Sequence, residues 1–363
     1  MKVAFSLTQC AHAVPGGTAV AALELRRAIL SSAASIEVVS VGAQRGKVPA
    51  PLALPDPSAR FTLPYPLLYD LWNRTDRGRV DRLVPDADLV HMTLGFCAAR
   101  GAAPQVCTVH DMFPFTHPEV FTKRGARVMT DGLTRVFERA DIIAAPSQAS
   151  ADAIVSHGGI APDRVRVVPW GAEPNEFADS ELGEIQRRLG LPERFVIFAG
   201  TQEPRKNLAV LLDALPHLDE GANLVLAGPA GWGDVGGRLN ETSSEQLLTL
   251  GSLERRDLLG AMTLASALVM PSLAEGFGLP ALEAMAQGTP VIHSECSALR
   301  ELAGETGTLV ESTDAAGWAR EINSFCKDDG RSSELGQASR IRSSSFSWGE
   351  SAKKMIDVYE ELV

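Results

Sequence analysis

The chain of 363 residues is 45% hydrophobic and 22% charged, with a mean hydropathy of +0.02. It is therefore no disordered polymer, and it is too long for one comfortable core. A net charge of −11 excludes a dedicated nucleic-acid binder, because polyphosphate would be repelled overall. No apolar run approaches the roughly 18 residues of a membrane span. Five cysteines without a Cys-x-x-Cys pair argue against a disulfide scaffold or structural zinc, and for a reducing cytoplasm.

The charge is uneven. Residues 1–171 hold 18 Lys and Arg against 15 Asp and Glu, net +3, whereas 172–363 hold 16 against 30, net −14. Two units of different character share the chain.

Short apolar runs alternate with helical patterns throughout, the mark of parallel α/β units. In chain order, 2–7 reads as a buried strand, Pro15-Gly16-Gly17-Thr18 as a turn, 19–31 as a helix and 36–41 as a strand. The proline-rich stretch 46–66 reads as a long surface loop. Strands are expected at 89–92, 105–110, 142–146 and 164–169, with helices between them. An acidic stretch, 172–184, lacks a buried-face pattern and marks the linker. A second series follows: strand 195–199, helix 208–215, strand 223–227, helix 254–266, strand 267–270, helix 280–287, strand 290–293 and a last helix, 350–362. The expected organisation is a first domain 1–171, a linker 172–193, a second domain 194–345 and a C-terminal helix 346–363 that crosses back to the first domain. Both domains read as Rossmann-like and doubly wound, with a cleft at their strand carboxyl ends where ligands sit in this fold class.

The segment 271–290 is the most informative. A strand ends in Ala274-Glu275-Gly276-Phe277-Gly278-Leu279-Pro280, with Pro280 suited to a helix first turn and Gly288 to the C′ position. Such a junction offers backbone N–H groups and a positive dipole end to an anion. Glu275 and Glu283 bracket it. An isolated pair would read as a solvated loop acid and a dipole-complementing helix residue. Around a glycine-rich loop, carboxylates repel phosphate but accept hydrogen bonds from sugar hydroxyls, so diphosphate and sugar together fit best.

A second strand–loop–helix junction, Phe198 to Leu208, carries Arg205 and Lys206. An arginine fork and a lysine point charge neutralise a diphosphate and the charge that grows on it as a leaving group. As a solvated pair near a helix start they would be mildly misplaced. In the first half, Gly16 and Gly17 precede a helix, where a tight turn is an equally good explanation. His110 closes a predicted strand, and a lone histidine there is more often structural. Asp86-Ala87-Asp88 matches a D-x-D metal motif in form but precedes a strand of the wrong domain, so no metal role is expected.

These segments together resemble glycosyltransferase family 4, retaining enzymes of the two-domain GT-B architecture. The likeness is strong over 195–311, clear over 105–171 and weak over 43–85. It implies that Glu275 contacts the transferred sugar and Glu283 the nucleotide's ribose. The backbone of Gly276, Phe277, Gly278 and Leu279 would face sugar and phosphates, and Arg205 and Lys206 would bind the diphosphate. Gly16 and Gly17 would lie near the donor phosphates, His110 would approach the sugar from the first domain, and Leu253 would adjoin the base. The implied catalytic set is His110, Glu275, Arg205 and Lys206. Asp111 stands beside His110 as a neighbour or acceptor contact, while Asp141, Ser147 and Ser150 read as structural. Two positions depart from the family: Thr201 stands where some members carry an arginine, and Ala19 to Ala22 replace another that often follows the glycines.

The implied activity is metal-independent, retaining transfer of a hexose from a nucleotide-diphosphate sugar, GDP-mannose as first choice, to a hydroxyl of a glycan, glycolipid or small molecule. No cofactor and no nucleic-acid partner are expected. Arg74, Arg77, Arg79, Arg82, Lys123, Arg124 and Arg127 imply at most weak peripheral attraction to a membrane's inner face. The rivals are an epimerase acting on the donor and a non-catalytic nucleotide-sugar-binding protein.

Overall fold

The computed structural model describes residues 1–12, 16–44, 53–233, 235–242 and 244–363. Pro15, Pro49 and Pro51 of the expected turn and loop lie outside these. The chain divides into two units, Met1–Gly171 with Trp348–Val363, and Ala172–Ser347.

The first unit is built on β1 (Lys2–Ser6), β2 (Glu37–Gln44), β3 (Ser58–Pro64), β4 (Leu89–Met92), β5 (Gln105–Thr108), β6 (Ile142–Ala145) and β7 (Val165–Val167). Their order in the sheet is β3-β2-β1-β4-β5-β6-β7, all parallel, with Ala4 of β1 opposite both Val39 and Val90. The second unit uses β8 (Phe195–Ala199), β9 (Asn223–Ala227), β10 (Leu247–Gly251), β11 (Ala267–Met270), β12 (Val291–His293) and β13 (Thr308–Leu309), in the order β10-β9-β8-β11-β12-β13. Both orders are the doubly wound 3-2-1-4-5-6 pattern. Central strands such as β8, Phe-Val-Ile-Phe-Ala, are buried on both faces and so carry unbroken apolar runs.

Several expectations change. β3 lies inside the expected loop 46–66; prolines hid it, and an edge strand tolerates them because its outer N–H groups need no partner. The edge strands β10 and β13 also escaped the sequence, being short and only half-buried. The helix after β1 spans Gly16–Ser32, so Gly16 and Gly17 belong to the helix itself.

Residues 172–193, expected as a linker, belong to the second unit. They include the helix Asp179–Leu189, anchored by buried Ile185, with Asp179 and Glu181 at its start and Arg187 and Arg188 at its end, as the helix dipole favours. Arg256 fixes it by pairing with Glu181 at 2.7 Å and lying 3.8 Å over the Phe177 ring.

The last helix, Trp348–Glu360, packs on the helix Gly16–Ser32 of the first unit and buries Trp348, Ala352, Met355 and Tyr359, spaced to lie on one face. Arg166 holds Glu361 at 2.7 Å, and Ser351 Oγ donates to the Pro169 carbonyl at 2.5 Å. With this helix counted in, the first unit holds 20 Lys and Arg against 19 Asp and Glu, net +1, and the second 14 against 26, net −12.

Three histidines are built into the first unit in neutral form. His91 is fully buried between Tyr359 Oη at 2.7 Å and Thr108 Oγ1 at 2.8 Å. Burial, with His110 nearby, brings its pKa down to about 3; burial brings His12 and His110 down to about 4. The unfolded chain binds protons at these sites from about pH 6.5 downward and the folded chain does not, so stability is full above that pH and falls below it. Each histidine is expected to cost on the order of 2 kcal/mol between pH 7 and pH 5. Calorimetric Tm should drop over that interval and the drop should shrink in His91→Gln; a flat profile would contradict the neutral assignments.

Candidate active site

In a doubly wound sheet the crevice opens at the carboxyl ends of the strands where their order reverses, here between β8 and β11 in the second unit. Arg205 and Lys206 follow β8, and Glu275 follows β11. The topology thus brings residues some seventy positions apart to one point.

The loop after β8 closes through a 3-10 turn, Pro204–Lys206, and Asn207 ends it in the left-handed region at φ 52°. Asn207 Nδ2 donates to the carbonyls of Pro271 (3.1 Å) and Ser312 (2.8 Å), tying together the loops after β8, β11 and β13. The β8 and β9 loops touch as bare backbone: a Cβ at Gly228 would fall 2.0 Å from the Gly200 carbonyl oxygen. In the loop after β11, Gly278 caps the helix Leu279–Gln287 at φ 100°, where a Cβ would meet the Leu299 side chain at 2.6 Å. Only glycine satisfies both constraints. Phe277 and Leu279 on either side are buried, which anchors the turn; Gly276 is partly exposed.

Four charged side chains meet there. Lys206 Nζ donates to Glu275 Oε1 at 2.6 Å. Arg205 donates through Nη1 to Glu275 Oε2 at 2.9 Å and to the Ala274 carbonyl at 2.8 Å, and through Nη2 to Glu203 Oε1 at 2.5 Å. All four are largely withdrawn from water; the Glu275 side chain is 7% exposed and Lys206 9%. Burial alone would raise the Glu275 carboxyl. The charges of Arg205 and Lys206 and the lysine hydrogen bond outweigh it, and the pKa is held at about 2. Glu275 is therefore ionised at any working pH. Its stabilising contribution is present above the normal carboxylate value and is lost only as pH falls toward 2. The backbone N–H of Glu275 donates to Cys296 Sγ at 3.1 Å, bracing the residue from the loop after β12.

Glu283, eight residues on, pairs with a different cation. It is 5% exposed, and its Oε1 accepts from Arg255 Nη1 at 2.6 Å. Arg255 opens the helix Arg255–Leu264, two residues after partly buried Leu253. The segment containing Leu253 and the glutamate expected at the ribose thus meet at one end of the site.

In the first unit His110 lies just beyond β5. Its Nε2 is 3.0 Å from the Thr93 carbonyl, which only accepts, so the neutral ring carries its proton on Nε2 and leaves Nδ1 as a bare acceptor. Nδ1 is buried and has no hydrogen-bond partner among the described residues. Trp170 packs edge-on at 5.3 Å, and Ser150 Oγ donates to the His110 carbonyl at 2.8 Å. Asp111 Oδ1 accepts from Phe113 N at 3.1 Å. Ser147 caps the helix Gln148–Gly158, and Asp141 accepts from Gln105 N at 2.8 Å. Asp86 and Asp88 pin Lys2 through its Nζ and backbone N at 2.8 and 2.6 Å, at the amino end of β1 and away from the strand ends where ligands sit. Among the described residues no cluster of three His, Cys, Asp or Glu is placed to hold a metal, and no helix is long and apolar enough to cross a membrane.

Sequence reasoning missed Glu203, Arg255, Cys296 and Asn207. Glu203 was within reach, two positions from Arg205 in the same loop. Arg255 and Cys296 had no local signal, because their partners come from other strand–loop junctions.

Two family models match the chain: glycosyltransferase family 4 over residues 15–176, and glycosyl transferases group 1 over 183–342. A D-inositol 3-phosphate glycosyltransferase of Xylanimonas cellulosilytica is 32% identical over 73% of this chain and 68% of its own length; that of Streptomyces coelicolor is 31% identical over 76% and 69%. The serotype-specific mannosyltransferase WbdA of Escherichia coli is 31% identical over 71% of this chain, which spans only 33% of that protein. Among solved structures, sucrose-phosphate synthase of Thermosynechococcus elongatus superposes with TM-score 0.79 at 20% identity over 100% of this chain and 99% of that one. HepE of Anabaena, in complex with UDP and glucose, gives 0.74 at 19% over the full length of both. These likenesses cover both units and match the two parallel sheets, so this chain belongs to glycosyltransferase family 4 and has the GT-B fold.

Proposed function

We propose that the protein is a retaining, metal-independent hexosyltransferase that moves a sugar from a nucleoside diphosphate to a hydroxyl acceptor. The observation that carries this reading is the buried Arg205–Lys206–Glu275 cluster at the strand-order reversal of the second unit. Arg205 and Lys206 neutralise the diphosphate and the charge that develops on it as the glycosidic bond breaks. Helix Leu279–Gln287 turns its N-terminal N–H groups to the same charge, so no divalent ion is required. Glu275 accepts a hydroxyl of the transferred sugar, Glu283 the ribose diol, and the backbone near Leu253 adjoins the base. His110, neutral with a bare Nδ1, accepts a further sugar hydroxyl. Gly16 and Gly17, at the start of their helix, are assigned to the phosphate and acceptor side. The departing diphosphate assists attack on the same face, which retains configuration.

GDP-mannose is the proposed donor, supported by likeness to a mannosyltransferase; the UDP complexes of HepE make UDP-glucose the competing choice. The acceptor is a glycan, glycolipid or small-molecule hydroxyl. A cytoplasmic setting fits five cysteines none of which is in a disulfide. Weak attraction to an anionic membrane surface would run through exposed Lys123, Arg124 and Arg127.

A panel of nucleotide sugars tests the reading. A ligand at 100 times its dissociation constant stabilises the fold by about 2.7 kcal/mol, and one donor should reach this without added metal and then hydrolyse slowly in the absence of acceptor. No stabilisation by any nucleotide sugar would sink it, and an epimeric donor among the products would replace transfer by epimerisation.

A further inference from the structure

The cations assigned to the diphosphate are already engaged. Arg205 and Lys206 face Glu203 and Glu275, two positive charges against two negative, in a cluster that water barely reaches. Such a cluster has no net pull on an anion. A diphosphate that takes the same guanidinium and ammonium N–H groups must take over hydrogen bonds that a carboxylate now makes.

The two carboxylates differ in what they can give up. Glu203 sits two residues from Arg205 in the same loop and holds its guanidinium through Nη2. Glu275 reaches across from the loop after β11 and spans both cations, one oxygen to each. Its carboxylate is a two-oxygen acceptor on an arginine fork and a lysine, the hydrogen-bonding pattern of a phosphate group. Resting on the assignment of Arg205 and Lys206 to the donor, we propose that the diphosphate binds by exchange. It displaces the Glu275 carboxylate from Arg205 and Lys206, while Glu203 keeps its hold on Arg205 and fixes the guanidinium in place.

The released Glu275 is then a buried anion that needs new donors, and hydroxyls of the transferred sugar supply them. A nucleoside diphosphate without its sugar supplies none. Exchange therefore favours the intact donor over the spent one, and after transfer Glu275 reclaims the cations and helps expel the product. Glu203 is a positioning residue in this scheme, and Glu275 is both sugar ligand and competitor of the phosphate.

Calorimetric titration of inorganic pyrophosphate into wild type, Glu275→Gln and Glu203→Gln separates exchange from simple removal of a negative charge. Both variants lose one carboxylate from the same cluster, but only the first removes the competitor. Exchange predicts pyrophosphate binding at least fivefold tighter in Glu275→Gln than in wild type, and several-fold tighter than in Glu203→Gln, with the intact donor bound more weakly than in wild type. Equal or weaker pyrophosphate binding in Glu275→Gln, or equal gains in both variants, overturns it. A wild-type comparison serves if a variant does not fold: the intact donor should bind at least fivefold tighter than its own nucleoside diphosphate, and equal affinities overturn the exchange. If wild type binds neither pyrophosphate nor any nucleotide, the donor assignment has failed and the exchange falls with it.

Discussion

Glu275→Gln is expected to lower kcat by between about a hundred- and a thousandfold at saturating donor, the loss typical of one oriented group in a preorganised site. Gln keeps the size of the side chain but offers one neutral acceptor in place of a carboxylate that spans two cations. The variant also leaves Lys206 and Arg205 buried with a single counter-ion, Glu203, and should lose about 3 kcal/mol of stability in the second unit. Rates must therefore be measured well below its Tm. Glu283→Gln is the contrasting variant: its partner Arg255 is half exposed, and the residue is assigned to the ribose, a part of the substrate that does not react. It should raise the donor KM about tenfold and leave kcat within a few-fold. Initial-rate kinetics on both decide the matter, and wild-type kcat in Glu275→Gln would remove it from the catalytic set.

Arg139→Ala is expected to destabilise the first unit by about 3 kcal/mol without touching the donor site. Arg139 ends the helix Lys123–Arg139 and is 5% exposed. It donates to the carbonyls of Trp72 (2.9 Å), Cys97 (3.2 Å) and Thr75 (3.0 Å) and to Asp76 at 2.7 Å. Removing it strands carbonyls in the core around fully buried Trp72 and Cys97, where no water reaches to replace the donor. Asp76 is 89% exposed, so Asp76→Ala should cost less than about 0.5 kcal/mol. Arg139→Lys should recover only part of the loss, since an ammonium lacks the fork that reaches four acceptors. Urea denaturation of the three variants gives the ranking; equal losses in Arg139→Ala and Asp76→Ala would show that the surface ion pair and not the buried carbonyls carries the energy.

Much of the site was legible because its chemistry is local in sequence. Glycine at a helix cap, Pro280 in the first turn and acidic residues eight apart declare a strand–loop–helix junction without reference to the rest of the chain. Where the signal was tertiary, reading failed. The helix Asp179–Leu189 buries one residue deeply, Ile185, so its short apolar pattern looked like linker until Phe177 and Arg256 were seen to hold it in place. β3 was masked by the prolines before it and by its own Pro64, whose missing N–H group matters little on an edge.

The charge division shows the same boundary. Sequence alone established a more basic first half and an acidic second half, and the last helix, by returning to the first unit, shifts the values to +1 and −12. Composition alone also argues against a nucleic-acid binder, since an excess of negative charge repels polyphosphate. It left open how an acidic unit would accept an anion. That is decided by tertiary structure, because hydrogen bonds and ion pairs act over a few ångströms and depend on which loops the strand order brings together. β8 and β11 lie side by side, so Glu203, Arg205, Lys206 and Glu275 meet in a buried cluster of no net charge within a unit of net −12. The residue types were written in the sequence; their being partners to one another was written only in the fold.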